Sequence, residues 1–479
     1  MLVRKKHLLI VALTICVIGW FLYAESRVDD SASDVARLRK LKRSRPTESE
    51  IATANFDALA EAGKGQPVPA GLINHRDPSG FWFVGKNGQD VGVEVPFAPG
   101  TIPKPPKSVP PIHENPGFVG AVACGKCHPE TFKTFSQTAH HRTSSPATAE
   151  TLNGPFTPPE NVMQTSNYDV NFTMLKRGDR FYQRVSFFDW KFEVPFDIIF
   201  GSSKMAQTCL YWNDDQLFQM NVTYLTEIDG WINSPGFIDG DAAYARPIGA
   251  VCMDCHTTYA DFRSDPNHFT PGSIVYGVSC ERCHGPGRQH IEYHEQNPNV
   301  KGGKHLIVPS DLPRDRELEI CAQCHSGTRN LLEGAYQFRP GDLTSDHYSP
   351  AAGDSKNHVH TSNQLARLSI SKCFTESEMT CADCHDPHQF ERGNKTLFSQ
   401  RCSKCHNDLD ETVHASIASK VSPQQIADNC VDCHMPSKAG DHLKMDRGGE
   451  MIFPPLRDHH VRIDLEAAAE FIRQISPIQ

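Results

Sequence analysis

A fold of short helices and long loops, interrupted by one small antiparallel β unit, is predicted by three features of this 479-residue chain. The pattern Cys-x-x-Cys-His occurs seven times. Six of the seven follow residue 250, their first cysteines spaced by 28, 41, 60, 21 and 28 residues. Those intervals leave room for short helices and little else. The first and second motifs stand 128 residues apart, and that gap carries the alternating apolar pattern of strands.

The motifs are CGKCH (Cys124, Cys127, His128), CMDCH (Cys252, Cys255, His256), CERCH (Cys280, Cys283, His284), CAQCH (Cys321, Cys324, His325), CADCH (Cys381, Cys384, His385), CSKCH (Cys402, Cys405, His406) and CVDCH (Cys430, Cys433, His434). A Cys-x-x-Cys pair suits half a zinc site, a redox dithiol or attachment of c-type haem. Only the third requires the next residue to carry a ligand, since that residue lies under the iron, and imidazole suits iron. A chance histidine after all seven pairs has odds on the order of one in a billion. The expected cofactors are seven covalently attached haem c groups with their iron. They claim 14 of the 17 cysteines and leave Cys16, Cys209 and Cys373, the last two expected as buried thiols rather than a disulfide. The fold class that follows is a multihaem cytochrome c fold: short α-helices and long loops around stacked haems, with an inserted small antiparallel β unit. Porphyrin there replaces the aliphatic core.

Residues 1–26 open with a basic head (Arg4, Lys5, Lys6) before about 17 mostly apolar residues, the lower limit for a span. Leu22 spoils the cleavage signal before Ala24. The expectation is an N-terminal anchor in the inner membrane, with the rest in the periplasm, or export if the segment is cleaved. Residues 27–116 read as a charged stalk and Pro-rich linker. The run RLRKLKRSR at 37–45 is a solvated face or a contact with anionic lipid. Eight prolines in 96–116 imply an extended linker or a surface strap, and GFWFVG at 80–85 lacks the neighbours for a core of its own.

Residues 117–160 hold the first haem segment and 161–245 the β-rich insertion. DVNFTML and FYQRVSFF flank a Gly turn as a hairpin; FEVPFDIIFG and QTCLYWNDDQLFQMNVTYL supply a second pair around Asn213-Asp214-Asp215. Trp190, Tyr211, Trp212 and Trp231 are expected in its core. Residues 246–463 form the six-haem region, and 464–479 a closing helix capped by Asp464. The net charge of −9, without a basic face carrying interleaved aromatics, argues against nucleic acid as a partner.

A second axial imidazole closes an iron and makes electron transfer its main business. Seventeen histidines lie outside the motifs. His290 follows Pro286-Gly287, a turn that carries the chain away from its own haem. His388, His360, His414 and His459 are the other candidates, with His460 competing with His459. Of His140 and His141, His140 is preferred. His268, His294, His305, His347, His358 and His442 are expected mainly in ordinary roles.

FVGAVACGKCHPETFKTFSQTAHH, GVSCERCHGPGRQH, MTCADCHDPH and CVDCHMP together resemble the cytochrome c-552/4 family of multihaem c-type cytochromes, in particular planctomycete-type members, here without tetratricopeptide repeats. The resemblance spans about residues 117–463 and places His140, His290 and His388 where axial ligands often stand in such proteins. The Cys-x-x-Cys-Lys motif of related ammonia-forming nitrite reductases does not occur here. The expected function is electron relay by hopping among closely packed, mostly bis-His haems of low potential, on the periplasmic side, with redox proteins as partners. The alternative is a multihaem oxidoreductase acting on a small nitrogen or sulfur compound at one five-coordinate haem, with the fourth motif as the guess for its place.

Overall fold

The computed structural model describes residues 103–475, apart from 168–169, 188–189, 241, 245, 265–266, 328, 351–355, 408–413 and 440–443, together with three strands before them. The chain divides into two units, 1–94 and 95–479. In the first, β1 (Leu72–Asp77), β2 (Gly80–Gly85) and β3 (Asp90–Glu94) form an antiparallel meander, with Asn74 opposite Phe83 and Phe83 opposite Val93. GFWFVG is its central strand.

Two antiparallel sheets lead the second unit. One has the order β5 (Val162–Gln164), β6 (Val170–Arg177), β7 (Arg180–Phe187), β8 (Trp190–Phe196). Alternation decides its faces. Val170, Phe172 and Met174 on β6, Val185 on β7 and Val194 on β8 are fully buried. The two-residue turn Gly178-Asp179 joins β6 to β7, and Gly178 takes φ +59°, which glycine adopts without a Cβ clash. The other sheet runs β4 (Ser144–Pro146), β9 (Ile198–Phe200), β10 (Ala206–Asn213), β11 (Gln216–Leu225), with β12 (Gly230–Asn233) also on β11 and the short strands Phe262–Ser264 and His268–Phe269 beyond. Asp214, at φ +62°, turns β10 into β11.

The core of this sheet is not its own. Ile198, Phe200, Leu210, Trp212, Leu217 and Phe269 pack with Met253 of the second motif, and with Phe118, Tyr259 and Tyr336 from flanking segments. Tyr211, Trp212 and Trp231 are buried; the Trp190 side chain lies outside the described residues. Cys209 and Cys373 are free thiols, Cys209 buried and Cys373 only half-buried.

The proline-rich stretch from 103 runs as a strap. The Lys104 amide donates to Asn213 Oδ1 (3.2 Å), and the amides of Ile112 and His113 donate to the Asp261 carboxylate (2.7 and 3.0 Å). Burial opposes charge on Asp261, but hydrogen bonds from Thr270, Ile112 and His113 outweigh it and hold the carboxyl below its ordinary range. A depressed folded-state pKa means that this clamp contributes fully above the ordinary carboxylate pKa and is lost as pH falls through the lower, folded value. Asp261→Asn should therefore flatten the acid limb of the stability curve between those two values and speed proteolysis within 103–116 at neutral pH. Thermal unfolding against pH, with mapped cleavage, measures both.

The helices after residue 250 are short, the longest being Arg314–His325 at 12 residues and Leu465–Ile475 at 11. Asp464 caps the last through its Oδ1, which accepts from the Ala467 amide at 3.0 Å.

The expected inner-membrane anchor needs correction. Among the described residues no helix is long and apolar enough to cross a membrane. Residues 1–26, on which that expectation rested, lie outside the described residues, and their apolar run only reaches the lower limit that a bilayer requires.

Candidate haem-binding site

Spacing i, i+3, i+4 puts two thiols and an imidazole on one face of a single helical turn. The chain folds that way at the motifs. The His128, His284, His385 and His406 amides donate to the carbonyls of Cys124, Cys280, Cys381 and Cys402 at 2.9–3.0 Å. The second motif fills the end of helix Ala250–His256, the fourth ends Arg314–His325, and the seventh is helix Cys430–His434.

Five motif imidazoles face a second imidazole. Ring centres are 6.4 Å apart for His128 and His290, 6.2 Å for His284 and His388, 6.2 Å for His325 and His140, 6.2 Å for His385 and His459, and 6.3 Å for His434 and His414. Two metal–imidazole bonds of about 2 Å, each with roughly 1 Å more from nitrogen to ring centre, place the rings of a doubly ligated iron about 6 Å apart. The spacing is too wide for ring stacking and fits an iron between each pair.

The tautomers agree. Nδ1–H donates to a backbone carbonyl from His284 (Ile307, 2.8 Å), His290 (Lys304, 2.8 Å), His325 (Thr361, 2.8 Å), His434 (Arg462, 2.9 Å) and His459 (Arg457, 3.2 Å). A ring that donates from Nδ1 keeps the Nε2 lone pair for a metal. Burial, then the neighbouring imidazoles, lowers His140 and His459 to about 4, so both are neutral and able to ligate.

Other histidines go elsewhere. His141 sits edge-on to Phe132 and Phe135. The Nδ1 of His360 contacts Ser362 Oγ at 2.7 Å and accepts the Ser362 amide. His268 pairs with Asp215 and His347 with Asp342. His294 and His305 flank Tyr293, and His442 lies outside the described residues. Among the described residues no imidazole faces His256 or His406 at the spacing of the five pairs. His256 stacks on Phe200 at 4.5 Å and meets Thr143 Oγ1 through Nδ1 at 3.1 Å.

The attachment thiols cluster between motifs. Cys124 interacts directly with Cys280, Cys255 with Cys324, Cys321 with Cys381 and Cys402 with Cys430. Cys283 lies within electrostatic reach of Cys321 and Cys324, and Cys384 of Cys402.

Polar residues inside the motifs tie these segments together, and sequence reading missed them. The Glu281 carboxylate accepts the amides of Val119, Gly120 and Gly287 at 2.8–2.9 Å, locking the first motif's approach to the third. A Glu between two cysteines gives no signal of that role, because its partners are backbone groups of a distant segment.

Comparison with known proteins finds similarity to multihaem cytochromes. The family model for cytochrome c554 and c-prime matches residues 240–285, which hold the second and third motifs. The dissimilatory sulfite reductase MccA of Wolinella succinogenes is 23% identical over 395 residues, covering 67% of this chain and 50% of that one. The multiheme cytochrome MtrA of Shewanella baltica is 28% identical over 151 residues, covering 28% of this chain and 44% of its own. The C-type polyheme cytochrome OmcC of Geobacter sulfurreducens is 25% identical over 227 residues, covering 41% and 27%. The chain thus spans half or less of the length of these relatives. The solved octaheme sulfite reductase MccA of W. succinogenes aligns with a TM-score of 0.37 at 15% identity, over 78% of this chain and 61% of that one. The chain is a multihaem c-type cytochrome. It carries haem c and iron, on a fold of short helices and several antiparallel sheets.

Proposed function

We propose that this cytochrome binds seven haems and relays electrons among them. The carrying observation is the set of five facing imidazole pairs, each at the spacing of a doubly ligated iron. His128 with His290, His284 with His388, His325 with His140, His385 with His459, and His434 with His414 are the axial ligands. Bound haem supplies one-electron chemistry. The chain supplies closure of the iron, spacing and dielectric. Thiol contacts set motif one beside three, two beside four, four beside five and six beside seven, and thiols within electrostatic reach link three to four and five to six, which makes a series with motif two as a branch. Two imidazoles without a methionine favour low potentials. A redox protein at either end of the series is the partner class.

A second reading has a specific observation behind it. His256 has no facing imidazole among the described residues, and the second motif ends a branch rather than lying along the series. A five-coordinate haem there would accept a small sulfur or nitrogen oxyanion, the class to which the sulfite of the named relative belongs. The expected open position thus moves from motif four, whose His325 faces His140, to motif two.

Haem content by pyridine haemochrome and electron paramagnetic resonance test both. The relay reading expects seven haems per chain with at least five low-spin. The branch reading adds a high-spin ferric signal and carbon monoxide binding that persist when the five facing histidines are intact. Fewer than five low-spin haems would sink the ligand assignment.

A further inference from the structure

Three of the haem-attachment motifs meet through their own variable residues. The residue just before the second cysteine is Asp254 in motif two, Arg282 in motif three and Gln323 in motif four. All three are buried, with Asp254 at 0% and Arg282 at 3% exposure. Arg282 Nη2 donates to the Asp254 carbonyl (3.1 Å) and meets its Oδ1 at 3.4 Å. The same carboxylate accepts the Tyr336 amide (Oδ1, 2.8 Å) and the Tyr348 hydroxyl (Oδ2, 2.6 Å). Gln323 Nε2 donates to the Arg282 carbonyl at 3.3 Å, and the Arg282 guanidinium stands 5.7 Å from the centre of the Tyr336 ring.

This arrangement is expensive as a structural tie. Desolvating a guanidinium and a carboxylate is repaid only by near-ideal pairing. Here the pairing is loose at 3.4 Å, and Arg282 Nε has no hydrogen-bond partner. Apolar residues would hold the junction at lower cost. What the pair does have is position. The Arg282 side chain meets Asp254 of motif two and the Arg282 carbonyl accepts from Gln323 of motif four, within electrostatic reach of the attachment thiols Cys255 and Cys324.

We propose that Arg282, held in place by Asp254, is a positioning residue that sets the reduction potentials of the haems attached at motifs two and four. This rests on the relay reading above. A haem gains one negative charge on reduction, so a buried positive charge favours the reduced form and a buried negative charge the oxidised form. Arg282 and Asp254 act with opposite sign on the same two haems, so each charge offsets the shift that the other would impose.

The test uses the full, haem-loaded chain and spectropotentiometric titration of every haem. Arg282→Gln should shift the reduction equilibrium of one or two haems at least about tenfold toward the oxidised form, 59 mV per tenfold for a one-electron couple. Asp254→Asn should shift the same haems in the opposite direction, and the double variant should return within about threefold of wild type. Shifts of the same sign, or none beyond about twofold, overturn the proposal. Should either charge variant fail to load haem, Tyr348→Phe serves: it removes only the hydroxyl that damps the Asp254 charge, and it should shift the same haems toward the oxidised form about threefold. No shift in that variant overturns the proposal as well. Failure of the relay reading has a separate signature: the wild-type haems would not titrate reversibly with one-electron mediators.

Discussion

Replacing His290 with alanine is expected to convert one haem from low-spin to high-spin, and that haem should be the one attached at Cys124 and Cys127. His290 faces His128 at 6.4 Å and is held there by its Nδ1–H bond to the Lys304 carbonyl. Without it the iron retains His128 alone. The variant should show a new high-spin ferric signal of about one haem per chain, bind carbon monoxide with the same stoichiometry, and raise the potential of that haem. His388→Ala and His459→Ala should each do the same for a different haem. Magnetic resonance with carbon monoxide titration checks this. A low-spin count unchanged in His290→Ala would remove the ligand assignment for the pair.

The second large effect concerns Asp458. Its carboxylate takes both nitrogens of Arg367 (Nε to Oδ1 and Nη2 to Oδ2, 2.8 Å each), Nη1 of Arg462 at 2.8 Å, and the His460 amide at 3.0 Å. Asp458 is 1% exposed and Arg367 8%. Asp458→Ala strands a buried guanidinium, and breaking such a pair costs about 3–5 kcal/mol. The neighbouring His459 would lose its seat opposite His385, so a fall in melting temperature should be accompanied by a change in the spin state of one haem. Asp458→Leu with Arg367→Met removes both charges, and should recover most of the melting temperature. A fall in the double variant as large as in the single one would contradict the account.

The chemistry of the site is legible in the chain because it is local. Two thiols and an imidazole within five residues need one turn of helix, and any segment can fold that turn. The β6–β7 hairpin is legible for a similar reason: alternation from Val170 and a Gly178-Asp179 turn are short-range signals. The joining of distant parts is not. His128 and His290 are 162 positions apart, and nothing near either residue names the other. The residues around Met253 read as haem segment and those around Leu217 as β insertion, yet burial makes them one core. The Asp254–Arg282 contact was invisible because each residue, taken alone, is an ordinary polar filler between cysteines.

The imidazole pairs cross between motifs. His290, which follows motif three, faces motif one; His140, which follows motif one, faces motif four; His388, which follows motif five, faces motif three. None of these five motif imidazoles is paired with a histidine that directly follows its own motif. An attachment failure at one position leaves a vacancy at another, so partly loaded chains are incomplete at several places at once. The five pairs therefore constrain the placement of the motif segments as a set rather than one by one.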